Sequence, residues 1–149
     1  MMKIHKGLLL LTCLFFSSCG KEQYDGFPYV LVDAGFSLQD ARFIPLKIAG
    51  TAIDVQQVTG QTHGVGGLIL YNNSGVLVAY DKRSPASLER QCNVKINSAF
   101  TCKDDCSGTI FQLTDGSRIS GEGGLPLVRY SVTVQGNLSL GTGTIRVSN

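Results

Sequence analysis

"GLILYNNSGVLVAYD", residues 67–81, sets two apolar runs on either side of Asn72, Asn73, Ser74 and Gly75. Those four residues tolerate positive φ or bond their own backbone, so the stretch predicts a β-hairpin. Both arms are apolar at consecutive positions. Such an arm has no solvated side, and the hairpin is expected to be buried on both faces.

Working outward, the other segments also read as short strands separated by turn residues. "PYVLVD" (28–33) and "AIDVQQV" (52–58) are expected strands. "RFIPLKIAG" (42–50) is interrupted by Pro45, which allows at best an edge strand or a loop. "GQTHGVGG" (60–67) is a loop, and it lacks the preceding strand and following helix of a phosphate-binding loop. "KRSPASLERQ" (82–91) is a polar excursion with room for one helical turn. "CNVKINSAFTC" (92–102) alternates Val94 and Ile96 around a polar turn. "TIFQL", the turn "TDGS" and "RIS" form a small hairpin over 109–120. In "LVRYSVTVQGNLSL" (127–140), Val128, Tyr130, Val132 and Val134 share one face, and "QGN" is expected to turn the chain. "TIRVS" (144–148) is the last expected strand. No segment carries a long helical period, no repeat is present, and 149 residues suit one domain with one modest core.

The first residues read as a targeting signal. "MMKIHKGLLLLTCLFFSSCG" places Lys3 and Lys6 before an apolar run at 8–16, then small residues, then Cys19. The run is too short for a permanent membrane helix. "FSSC" resembles the lipobox of bacterial lipoproteins. That resemblance implies cleavage after residue 18, lipidation of Cys19, and a polar tether over 19–27; the alternative is an ordinary signal peptide cleaved nearby. The expected location is the outer membrane or the periplasmic face of the cell envelope, with surface display suggested by Lys21 and Glu22. Without Lys3 and Lys6, eleven basic residues face eleven acidic ones. A neutral domain has no electrostatic footprint for phosphates, so nucleic acid is not an expected partner. The expected membrane link is the acyl anchor, with an unidentified envelope protein as partner.

Cys92, Cys102 and Cys106 remain in the folded part. Beyond the inner membrane disulfides persist, so one pair and one remaining thiol are expected. "TCKDDCSGTIF" (101–111) spaces Cys102 and Cys106 by three residues. A redox pair usually uses C-x-x-C at a helix start, and here Asp104 and Asp105 intervene. The three thiolates with Asp104, Asp105 or His63 offer a zinc set in principle, but structural zinc sites favour a second Cys/His pair that is absent here, and oxidation of Cys92 with Cys106 would remove the set. With His5 gone, His63 is the one histidine; it reads as a general base or ligand, or more simply as an exposed loop residue. A single histidine leaves no Ser/His/Asp set that spacing supports. Asp104 and Asp105 read as a solvated turn, or with Asp115 as a Ca²⁺ set, and Lys82 and Arg83 as surface charges.

The run from Gly67 through "AYDKRSP", "C-SGTIF" and "DGSRISGEGGLPLVRYSV" resembles the Rieske iron–sulfur domain over roughly 28–149. It is also similar to the Rieske-like lipoproteins of Bacteroidetes-type bacteria. Leu125, Pro126, Leu127 and Tyr130 stand where that family has its "PL..Y". The resemblance implies an all-β fold of antiparallel sheets with two long loops, around 82–92 and 102–108, stapled by a Cys92–Cys106 disulfide. Cys102 is then a free thiol, or swaps in as a partner of the pair. A Rieske [2Fe–2S] cluster requires two thiolates and two imidazoles. The corresponding positions here are Ser84, Ala86, Asp104 and Ser107. A register shifted by one residue would put Cys102 at the second thiolate position, and still no imidazole pair exists. The expectation is a non-enzymatic, lipid-anchored interaction module without a cofactor. The alternatives are a [2Fe–2S] electron-transfer protein and a thiol-redox protein using Cys102 and Cys106.

Overall fold

The computed structural model describes residues 26–56 and 60–149. The expected signal peptide, Cys19, most of the expected tether and the end of the strand expected over 52–58 lie outside these residues.

Ten strands follow one another: β1 (Asp33–Ser37), β2 (Ala52–Val55), β3 (Leu68–Asn73), β4 (Val76–Asp81), β5 (Val94–Ile96), β6 (Thr101–Asp104), β7 (Ile110–Gln112), β8 (Arg118–Ser120), β9 (Arg129–Asn137) and β10 (Thr142–Ser148). All named pairings are antiparallel. One sheet has the order β1-β10-β9-β4-β3-β2, and a second, smaller one the order β5-β6-β7-β8. The protein is all-β, as the sequence predicts.

The hairpin β3–β4 organises both halves. Its two-residue turn, Ser74 (φ 54°) and Gly75 (φ 95°), has the positive φ at both positions that a type I′ turn demands. Side chains alternate across each strand with period two. Leu68, Leu70, Leu77 and Ala79 therefore enter one core, with Phe36, Phe43, Leu46, Ile145 and Val147. Ile69, Tyr71, Val78 and Tyr80 enter a second core on the opposite face, with Val94, Cys102, Phe111 and Leu113. The consecutive apolar residues thus serve two cores at once.

Four elements differ from the sequence expectations. Residues 42–50 are not an edge strand or loop: a 3₁₀ helix spans Ala41–Lys47, started by the Asp40 side chain accepting from Arg42 N–H (3.0 Å). Phe43 and Leu46, three residues apart, match the 3₁₀ repeat and bury together. The first strand starts at Asp33, not Pro28. The segment before it is held instead by Asn149, whose side chain accepts from Val32 N–H (3.1 Å) and donates to Val30 C=O (2.8 Å). "QGN" does not turn the chain. β9 continues through Asn137 because Gly136 faces Gly143 across the ladder, and a Cβ on either would strike the other strand's backbone. The stretch 84–91 forms turns with no helix.

The outer edge of β1 is covered. Asp33 N–H reaches Thr62 Oγ1 (2.9 Å), and the Gln61 amide accepts from Gly35 N–H (3.1 Å) while donating to Gly35 C=O (3.2 Å). A side-chain amide here occupies the groups through which another strand would pair.

Candidate functional site

The small sheet places two loops against each other, residues 82–93 and 104–109. β6 ends on Asp104, which pairs with Val94 of β5, so the start of one loop and the end of the other are neighbours. The Cys92–Cys106 disulfide joins them, with Cα atoms 6.3 Å apart.

Inside this staple lies a carboxylate knot. Ser84 and Asp104 are fully buried. The Ser84 hydroxyl donates to Asp104 Oδ2 (2.7 Å), and the Ser107 hydroxyl donates to the same oxygen (2.8 Å). Cys106 N–H donates to Oδ1 (2.8 Å), and Ala86 N–H donates to Ser84 Oγ (3.2 Å). Burial alone would raise the Asp104 pKa. The Ser87 and Ser84 hydroxyls, the Cys106 N–H and the Ser107 hydroxyl outweigh it and hold the carboxyl below its ordinary value. Ser87 Oγ contributes by proximity, since it lacks hydrogen-bond geometry toward any partner. Ser84, Ala86, Asp104 and Ser107 are thus brought into one hydrogen-bonded unit. A buried carboxylate with this many donors is a structural charge, held in its ionised form.

Asp104 is therefore not part of a solvated turn, and the three-aspartate cation set does not assemble. Asp105 faces outward and pairs with Lys95 Nζ (2.6 Å), while Asp115 accepts from Ser117 N–H (2.9 Å) in its own turn. Among the described residues, Cys92, Cys106 and Asp104 are the set whose potential ligand atoms approach closely, within 4.8 Å of one another.

Cys102 lies in β6 with its thiol in the second core. Burial pushes its pKa up to about 12, so the cause is desolvation and not the neighbouring aspartates. Such a thiol is a poor nucleophile.

His63 is buried, contrary to the exposed position expected for it. Its ring centroid lies 5.6 Å from that of Phe36, and Nδ1 sits 3.2 Å from Gln61 C=O. The loop folds inward because Asp81 captures it. This buried carboxylate accepts from Val65 N–H (2.6 Å), Gly66 N–H (2.9 Å), Arg83 N–H (2.7 Å) and the Tyr130 hydroxyl (2.7 Å). Burial first, and then the Asp81 charge, push the Tyr130 pKa up. Asp81 was not singled out by sequence reading, although it closes an apolar strand on the inward-facing register of Leu77 and Ala79. Lys82 is not a free surface charge either: it is largely covered and pairs with Asp54 (2.5 Å). Arg83 is half-buried, with Nε and Nη1 lacking partners. A groove of about 900 Å³ lies apart from the knot, along Phe27, Tyr29, Val76, Pro126 and Val132.

Fold and site together define an all-β, two-core domain whose paired loops are closed by a disulfide over a buried carboxylate. No protein-family model matches the chain, and no curated protein matches it.

Proposed function

We propose that this protein is a lipid-anchored, Rieske-like module of the cell envelope that works by binding a partner protein and not by catalysis or electron transfer. The observation that carries the reading is the knot at Asp104. The four positions that the sequence resemblance aligns with cluster ligands form one hydrogen-bonded group here, beside the disulfide that the same resemblance implies. Their side chains are two hydroxyls, a methyl group and a carboxylate. The hydroxyls and the carboxylate satisfy one another, and none is a soft or imidazole ligand of the kind a Rieske cluster needs. A carboxylate can close the gap between two loops without iron, provided enough donors surround it.

The thiol-redox alternative is disfavoured by the position of Cys102, which is buried in the second core and not presented beside Cys106. Localisation follows from Cys19 in this reading, with the tether setting the distance from the bilayer.

Two measurements test the proposal. Iron, acid-labile sulfide and the visible spectrum are determined on protein prepared anaerobically. The expected result is colourless protein without iron; a reddish-brown preparation with a paramagnetic signal on reduction refutes the reading. Separately, Cys19→Ala is expected to abolish incorporation of labelled fatty acid and release the protein from the membrane fraction. Unchanged labelling excludes Cys19 as the anchor.

A further inference from the structure

We infer that reducing the Cys92–Cys106 disulfide creates a site for one thiophilic divalent cation, held by the two cysteine sulfurs and the Asp104 carboxylate. The three potential ligand atoms already lie within 4.8 Å of one another. Two thiolates on one tetrahedral zinc sit about 3.7 Å apart, given zinc–sulfur bonds of about 2.3 Å. Opening the disulfide frees both side chains to rotate, and Cα atoms 6.3 Å apart leave room for that spacing.

Asp104 is oriented in advance. Its Oδ2 is filled by the Ser84 and Ser107 hydroxyls, whereas Oδ1 accepts one hydrogen bond, from Cys106 N–H. A carboxylate oxygen accepts about two, so Oδ1 retains one lone pair. Cys92 is half-buried and Cys106 is exposed, which leaves a fourth coordination position open to water. Two thiolates and a carboxylate leave one negative charge on a bound divalent ion. The neighbouring Arg90 guanidinium, which donates to Cys106 C=O (3.0 Å), offsets it, while Lys95 is already paired with Asp105. Sulfur ligands select zinc or cadmium over calcium and magnesium.

The chemistry balances with an external reductant. A dithiol or phosphine supplies two electrons, the S–S bond breaks, and two thiols form with two protons from solvent; the reductant becomes a disulfide or a phosphine oxide. The cation then displaces both thiol protons to water. The two cysteines are the ones that the resemblance assigns to the staple, and only Asp104 is shared with the cluster positions, so the site stands whether or not the proposed function holds.

Cd²⁺ is the probe, added to the full-length protein in detergent, either oxidised or reduced with a phosphine and freed of excess reductant under argon. A sulfur-to-cadmium charge-transfer band saturating at one ion per chain is expected for the reduced protein alone. Asp104→Asn is expected to weaken binding by at least about tenfold. Cys102→Ser, and the Cys13→Ser/Cys19→Ser pair, are expected to leave the band unchanged. No uptake by reduced protein, equal affinity in Asp104→Asn, or loss of the band in the Cys13→Ser/Cys19→Ser protein overturns the inference. So does reduced protein that loses its β-sheet circular dichroism and fails to regain it with cadmium. Iron analysis of the oxidised protein addresses the proposed function separately, because the two results do not depend on each other.

Discussion

Replacing Asp104 with alanine removes the acceptor at the centre of the stapled loops, and its cost can be assembled from the bonds around it. The Ser84 hydroxyl is fully buried and loses its acceptor Oδ2. A buried donor left unmatched costs about 1–3 kcal/mol, so about 2 kcal/mol is assigned here. Cys106 N–H and the Ser107 hydroxyl also lose Asp104, but both are only partly buried and water can replace it. Together they add about 1–2 kcal/mol, and relief from burying a charge returns part of that. The expected net loss is about 3 kcal/mol. Asp104→Asn should cost only about 1 kcal/mol, because the amide keeps one acceptor for Cys106 N–H and the serine hydroxyls can rotate to accept from its NH₂. Urea unfolding of the oxidised protein, followed by circular dichroism, resolves these values. At a slope of about 2 kcal/mol per molar urea, Asp104→Ala moves the midpoint down by about 1.5 M and Asp104→Asn by about 0.5 M. An alanine variant within 0.5 M of wild type, or an asparagine variant as unstable as the alanine one, refutes the account of a charge held by matched donors.

Three further outcomes are expected. The native Asp104 pKa lies below its unfolded value near 3.9, so its contribution is present above about pH 4 and lost as pH falls through the native value; acid titration should destabilise wild type more steeply than Asp104→Asn. Cys92→Ser/Cys106→Ser opens a staple of sequence separation 14, and unfolding should show a loss of roughly 3 kcal/mol. Alkylation of native, oxidised protein should leave Cys102 unmodified, with reaction appearing only after denaturation, because its thiol is buried and its pKa is raised to about 12.

What the sequence made legible was whatever depends on local pattern. The turn at Ser74 and Gly75, the consecutive apolar arms of β3 and β4, and the alternation from Val128 to Val134 each carry their own period. They led to strands of the right type. The harder features depend on what lies across from a residue. Gly136 looks like a turn until Gly143 is found opposite it. Phe43 and Leu46 are two apolar residues around a proline until the first core receives them both. His63 and Asp81 are distant in sequence from what buries them, and a lone polar residue carries no sign of the donors that will meet it. At the candidate site, a charged pair at 104 and 105 gave no hint that one carboxylate turns inward to Ser84 and the other outward to Lys95.

The pairing of β1 with β10 has a consequence for how the molecule is made. Asp33 is aligned with Ser148 and bound to Arg146 (2.9 Å), and the side chain of Asn149 clasps Val30 and Val32. While the ribosome is still adding residues, the early strand waits for a mate more than a hundred positions downstream. Loop closure over such a span is slow. The large sheet therefore gains its outer strand β1 only once β10 is in place, which puts that closure late in folding.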